Sequence, residues 1–302
     1  MNTGGRRSEL DTRAVTLVLA CAALWGLGQV AAKLGLAEIP PLLQAALRSV
    51  GAALLLLGWC AWRRLPVFAR DGTGPAGLVA GLLFAAEFAC IFSGLQFTTA
   101  SRMTVFLYVA PFVVALGMPL ISRSERLQAT QVGGLLLAFA GVVWAFAEGL
   151  TQPAAGDRQW LGDALGLAAA CFWGVTTLTV RGTRLATASA EKTLLYQLVV
   201  SGAALGAASL LRGETVPAAL SPLSWGVLGF QTVLITFASY LVWFWLVRHY
   251  PATKISSFTL LTPLFGLLAG VLLLNEPLTA RLATALATVC LGIWLVNRPR
   301  PA

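Results

Sequence analysis

Apolar positions along this chain gather into ten continuous runs, each about twenty residues long and each closed by a short polar turn. Crossing the hydrocarbon of a bilayer as a helix takes about 20 such residues. The runs are Ala14–Ala32, Leu42–Trp62, Gly77–Phe97, Met103–Ile121, Ala129–Ala147, Leu161–Val180, Thr193–Leu211, Leu223–Val247, Ile255–Leu274 and Thr279–Val296. They lack the two-residue alternation of a membrane β-barrel and are rich in Leu and Ala. The pattern predicts an all-α integral membrane protein with ten transmembrane helices.

Composition supports that reading. With 58% apolar and 11% charged residues, and a mean hydropathy of +0.80, there is too little polar surface to cover a soluble globule. The net charge of +9 raises nucleic acid as a partner. The basic residues, however, lie in pairs between apolar runs rather than on one polar face, which argues against it. They report topology instead. With the N-terminus in the cytoplasm, fifteen of the 21 Lys and Arg fall inside and five, Lys33, Arg102, Arg158, Arg212 and Arg281, fall outside, with Arg48 embedded. This bias predicts that both termini are cytoplasmic. The five cysteines all lie within apolar runs, without metal-ligand spacing, so neither a metal site nor a disulfide is expected. Val18-Leu19-Ala20-Cys21 is similar to a lipoprotein cleavage box, but the apolar run continues to Ala32, which predicts a retained first helix.

Glu87 interrupts this picture. It stands near the middle of the otherwise uncharged stretch from Gly77 to Phe97. A carboxylate at the centre of a span costs roughly 2.5–3.5 kcal/mol on insertion scales, so it should face a protein interior or a wet cavity. Arg48 is about seven residues from the end of its own run, roughly 10 Å in. The two depths are close enough for pairing, and burial and a neighbouring arginine act in opposite directions on such an acid. A purely structural role for either residue is the alternative.

The chain also repeats itself. Trp25-Gly26 recurs as Trp173-Gly174, Gly51-Ala52-Ala53-Leu54 as Gly202-Ala203-Ala204-Leu205, Pro111 as Pro263 and Glu125 as Glu276, at offsets of 148, 151, 152 and 151. Residues 1–150 and 151–302 are read as two copies of five spans. An odd number of spans forces the second copy to enter the membrane from the other side, giving inverted repeats with a site between them near the midplane. Glu125 and Glu276 lie in turns and are read as helix-end residues.

Leu24-Trp25-Gly26 and Phe172-Trp173-Gly174, Ala45-Ala46-Leu47-Arg48, Gly94-Leu95-Gln96-Phe97-Thr98-Thr99-Ala100-Ser101, Pro111 and Pro263, Ser124-Glu125-Arg126-Leu127 and Leu274-Asn275-Glu276-Pro277-Leu278 follow one another in a distinctive order. In that order and duplication the chain resembles two EamA domains of the drug/metabolite transporter superfamily. The resemblance implies a ten-helix carrier of the bacterial inner membrane, exporting amino acids or other small metabolites, driven by an ion gradient or by the substrate's own. A passive channel or a structural membrane subunit is the alternative.

Several polar and aromatic residues are placed to line a pathway. Trp25 and Gln29 share one face of the first helix, and Trp173 and Thr177 share one face of the sixth. Tyr240 and Trp243 do so in the eighth, while Tyr108 precedes Pro111, where a disturbed turn frees a carbonyl. With Arg48 and Glu87 these nine are the candidate substrate pathway, Glu87 the candidate proton-coupling residue, and Pro111 and Pro263 the candidate helix kinks. Trp62, Trp160 and Trp294 are read as interfacial anchors. Gly77 and Gly81, Gly202 and Gly206, and Gly266 and Gly270 are read as close-packing pairs. No His-Glu-x-x-His, Gly-x-Ser-x-Gly or phosphate-binding Gly-x-x-x-x-Gly-Lys-Ser/Thr occurs, which argues against catalysis and ATP-driven pumping and calls for no cofactor.

Overall fold

The computed structural model describes residues 9–123, 126–145, 147, 157–266 and 280–298. Every regular element among them is helical. In chain order these are α1 (Thr12–Gly35), α2 (Pro41–Trp62), α3 (Gly74–Gly94), α4 (Ala100–Leu107), α5 (Ala110–Ile121), α6 (Ala129–Ala145), α7 (Gln159–Gly182) and α8 (Ala190–Leu211). There follow α9 (Pro222–Phe230), a π-helical stretch (Gln231–Ser239), α10 (Tyr240–His249), α11 (Ala252–Phe258) with a 3₁₀ turn (Thr259–Leu261), and α12 (Ala280–Asn297). Seven helices among the described residues are long and apolar enough to cross a membrane, and Ala129–Ala145 and Ala283–Asn297 are shorter apolar helices. Leu116, Leu120, Leu210 and Leu211 are exposed on the outside. Such a coat suits lipid rather than water.

Local chemistry sets where the helices begin and break. Asp11 caps α1 by accepting from the Ala14 amide at 2.8 Å, Ser189 caps α8 from Lys192, and Ser221 caps α9 from Ser224. The fourth apolar run is not one straight helix. It breaks at Tyr108 and Val109, and Pro111 falls in the first turn of α5, because a proline removes a donor and clashes with the carbonyl four residues back. Pro263 has the same relation to the 3₁₀ turn Thr259–Leu261.

Glycines explain the close approaches. A Cβ on Gly26 would lie 2.6 Å from the Thr262 carbonyl oxygen and 2.9 Å from the Gly266 nitrogen, and one on Gly174 would meet Val113 at 2.5 Å and the Ala110 carbonyl at 3.4 Å. Each Trp-Gly pair thus seats its helix against a proline-bearing segment in the other half of the chain. Gly81 lies against Tyr196 and Val200, and Gly202 against Val50, as close packing requires. Gly206 faces open space, so the expected contact there does not form. Glu125, Gly270 and Glu276 lie outside the described residues.

Packing divides the core into two faces. One is α1 with the π stretch, α10 and α11, and the other is α3 with α4, α5 and α7. The helices α2 and α8 pack together and bridge the faces, and α6 pairs with α12 to one side. Asp11 at the start of α1 accepts from the Tyr250 hydroxyl at the end of α10 at 2.9 Å, while Asp163 near the start of α7 accepts from Thr98 beyond the end of α3 at 2.8 Å. Lys33 near the end of α1 reaches the Leu95 carbonyl at the end of α3, and Arg181 near the end of α7 reaches the Val247 carbonyl near the end of α10, so α1 and α7 run in opposite directions.

Candidate functional site

Between the two faces lies a cavity enclosing about 790 Å³, its opening included. Trp25, Gln29, Arg48, Glu87, Tyr108, Trp173, Thr177, Tyr240 and Trp243 all line it. These nine positions, on five helices and in the break between α4 and α5, are brought together by the packing of α1, α3, α7 and α10 around one space.

Its aromatic wall is continuous. The Trp25 ring centre lies 5.8 Å from Trp173, 5.8 Å from Tyr240 and 5.2 Å from Trp243, all edge-to-face. Tyr108 meets Trp173 at 5.8 Å, and Phe84 meets Tyr240 at 5.7 Å. The two repeated tryptophans are not equivalent. Trp25 Nε1 donates to Ser239 Oγ at 2.7 Å, and that hydroxyl donates to the Ile235 carbonyl within the π stretch. The Trp173 indole N–H makes no hydrogen bond to any described residue, which leaves it as a donor on the cavity wall.

Arg48 is buried, with its guanidinium 3.7 Å from the Phe88 ring centre and 5.2 Å from that of Phe92. Stacking holds the group's face and leaves its edge. Nε and Nη2, the two nitrogens of that edge, have no hydrogen-bond partner. Glu87 is 6% exposed, and among the described residues its carboxylate has neither a hydrogen bond nor an ion pair. The pairing that the depths of Glu87 and Arg48 permit is therefore not made, although the two groups and Tyr240 lie within electrostatic reach of one another. Two ionisable groups of opposite type thus share one low-dielectric space without a bond between them, where each retains its need for a partner.

Gln197 and Gln231 line the same cavity, fully buried, and both polar atoms of each amide are unpartnered. Reading the sequence missed them. Uncharged amides inside the runs Thr193–Leu211 and Leu223–Val247 were the available signal, weaker than a charge but of the same kind. Phe88 and Phe92 were missed as well, because only the fold shows that Arg48 stacks on them. Outside the cavity, Trp62 and Trp160 are strongly exposed and Trp294 about half exposed, as interfacial anchors would be. Among the described residues there is no cluster of metal-ligating side chains.

The sequence and the fold meet in a family. A model of the EamA-like transporter family matches residues 12–147 and again residues 160–298. The chain belongs to this family. It is 28% identical to the "Uncharacterized transporter YvbV" of Bacillus subtilis (strain 168), covering 95% of this chain and 92% of that one. It is 26% identical to a "Probable amino-acid metabolite efflux pump" of Escherichia coli (strain K12), over 92% of this chain and 93% of that pump. One crystal structure superposes with a TM-score of 0.78 at 17% identity, covering 95% of this chain and 96% of the other, and so shares its fold. The protein is a multi-pass membrane protein of a transporter family.

Proposed function

We propose that this protein is a secondary carrier of the bacterial inner membrane that exports small zwitterionic metabolites, amino acids or their relatives, in exchange for protons. On this reading it has ten spans in two inverted five-helix repeats, residues 1–150 and 151–302, and both termini are cytoplasmic. The contacts supporting the repeat are matched pairs. Gly26 against Thr262 and Phe265 mirrors Gly174 against Ala110 and Val113, and the second members stand 152 positions apart in both cases.

The observation that carries the function is that Arg48, with Nε and Nη2 unpartnered, and Glu87 line one aromatic-walled cavity without pairing to each other. The open edge of a stacked guanidinium suits a carboxylate held by two parallel hydrogen bonds. Glu87 suits an ammonium, and the Trp25, Trp173 and Tyr240 cluster suits an apolar side chain. Trp173 N–H, Gln197 and Gln231 offer further hydrogen bonds. When the ammonium arrives, Glu87 gives up any proton it holds, and linkage makes substrate and proton exchange reciprocal. The relative named as an amino-acid metabolite efflux pump is consistent with this substrate class.

The test is flux in reconstituted vesicles with a panel of amino acids, with and without an imposed proton gradient. Saturable, gradient-dependent flux and counterflow of labelled substrate are expected. Flux that neither saturates nor shows counterflow would make the protein a passive channel instead.

A further inference from the structure

Lys33 and Arg181 stand 148 positions apart, the same spacing as Trp25 and Trp173, near the C-terminal ends of α1 and α7. Each reaches a carbonyl at the C-terminal end of another helix. Lys33 Nζ donates to the Leu95 carbonyl at 2.7 Å and the Thr98 carbonyl at 3.3 Å. Arg181 Nη1 donates to the Val247 carbonyl at 2.9 Å. Leu95 and Val247 are themselves 152 positions apart, the spacing of Pro111 and Pro263. Both bonds therefore make the same contact in the two halves, at opposite ends of the bundle.

These two bonds differ from the other polar ties at the ends. The Asp11–Tyr250 and Asp163–Thr98 contacts, the Arg102–Asp163 pair and the Lys254–Glu9 pair each join helices of a single face. They hold a face together whichever way the cavity opens. Lys33 and Arg181 instead cross the cleft, from α1 to α3 at one end and from α7 to α10 at the other.

The surroundings of the two bonds are also unlike. Cavity-lining residues run to Ala32, Ile91 and Phe92, within a turn of the ends of α1 and α3, and Lys33 is exposed. At the Arg181 end the lining stops at Phe244. Beyond it Leu246, Val247, Tyr250 and Ile255 are buried, Val114 and Met118 pack on Ala252, and Arg181 is buried with them. A hydrogen bond from a buried cation to a helix-end carbonyl is strong and costly to leave unmade.

We infer that Lys33 and Arg181 are the paired latches of alternating access. The buried Arg181–Val247 bond locks the sealed end, and the exposed Lys33–Leu95 bond is its counterpart at the open end. Passage to the opposite state breaks the first and draws the second into a closed seam. This rests on the carrier reading for its purpose, but its test requires no substrate.

Single cysteines replacing Ala252 at the sealed end and Ala32 at the open end report which end is accessible to a water-soluble maleimide in nanodiscs, where both faces meet solvent. Labelling of the parent chain is subtracted. Arg181→Ala should raise labelling at Ala252→Cys about tenfold and lower it at Ala32→Cys, the population shift expected when one charge-assisted bond is lost. Lys33→Ala should move both reporters the other way, and Arg181→Lys, which keeps a donor, should stay near the parent. Changes of the same sign in both alanine variants, or none in either, would overturn the latches. A general loss of folding in Arg181→Ala would show as raised labelling at both positions, and the opposite shift in Lys33→Ala then decides the matter alone. Failure of the carrier reading would appear separately, as absent flux with the labelling pattern intact.

Discussion

The two halves of the chain share a scaffold but not a chemistry. Trp25-Gly26 and Trp173-Gly174 seat their helices in the same way, against proline-bearing segments that lie 152 positions apart. Where the first half has Arg48, the second has Val199 or Val200, and where it has Glu87 the second has Ala238 or Ser239. Ser239 satisfies Trp25, so that tryptophan is wall. Its counterpart Trp173 carries an indole N–H that no described residue accepts. On the proposed reading, symmetry supplies the scaffold and departure from symmetry supplies the binding site.

The largest expected effect breaks that division at its charged member. Glu87→Gln keeps the shape and hydrogen-bonding capacity of the side chain but removes its titration. Proton-driven efflux in vesicles should fall by about a hundredfold, near the upper end of typical coupling energies, and substrate binding should lose its pH dependence. Undiminished gradient-driven flux would leave Glu87 a structural acid. Arg48→Gln should come next, weakening substrate affinity by about tenfold through loss of a charge-assisted fork, read as a raised half-saturation concentration.

Much of this was legible before the fold was known. A charge inside an apolar run is costly enough to announce itself, and an aromatic and a polar residue at four-residue spacing, as in Trp25 with Gln29, announce a helix face. Continuous apolar runs place helices for the same reason. What the sequence could not carry was relational: the stacking of Arg48 on Phe88, the separation of Arg48 from Glu87, and the different partners of Trp25 and Trp173 depend on which helices become neighbours. The π stretch at Gln231–Ser239 was hidden too, since nothing in its composition departs from an ordinary apolar helix.

The scaffold side of the comparison is tested by filling its glycines. Gly26→Ala and Gly174→Ala each push a methyl group into a neighbouring helix segment, at 2.6 and 2.5 Å respectively. Both should destabilise by about 1–3 kcal/mol, read as a lowered midpoint of thermal unfolding in detergent. Gly28→Ala, whose added carbon would sit at an ordinary 3.5 Å from Ile235, should leave that midpoint unchanged. Similar losses at Gly26 and Gly174 would support equivalence of the halves, and tolerance at one of them would break it.

The tryptophans separate wall from site. Trp25→Phe removes the donor to Ser239 and should cost about 1 kcal/mol of stability, with little change in substrate affinity. Trp173→Phe removes a donor that no described residue uses. It should leave the unfolding midpoint in place and raise the half-saturation concentration by roughly fivefold, the weight of a single neutral hydrogen bond. If both variants behave alike, the asymmetry of the two tryptophans has no functional meaning.

The smallest effect concerns how the two ends are tied. At one end Glu214 accepts from the Leu42 and Leu43 amides, at 3.3 and 2.8 Å, and so caps α2. At the other, Lys192 donates to Asp71 at 2.7 Å and to the Ala69 carbonyl at 2.6 Å, joining the loop before α3 to the start of α8. Lys192 and Thr73 hold the Asp71 carboxyl well below the usual carboxylate range. A group whose folded-state value is depressed contributes stability that is fully present above its unfolded value, here about 3.8, and is lost as pH falls toward the folded one. Its contribution should therefore be constant from pH 8 down to about 5 and shrink only in stronger acid. Asp71 is largely solvent-facing, so the contribution itself is modest and screened by salt. Asp71→Asn should lower the unfolding midpoint slightly at neutral pH and low salt, and the difference from the parent chain should vanish in high salt and begin to shrink only below about pH 4. A difference that persists in high salt would assign the loss to the loop's hydrogen bonds with Thr73 rather than to the charge on Lys192.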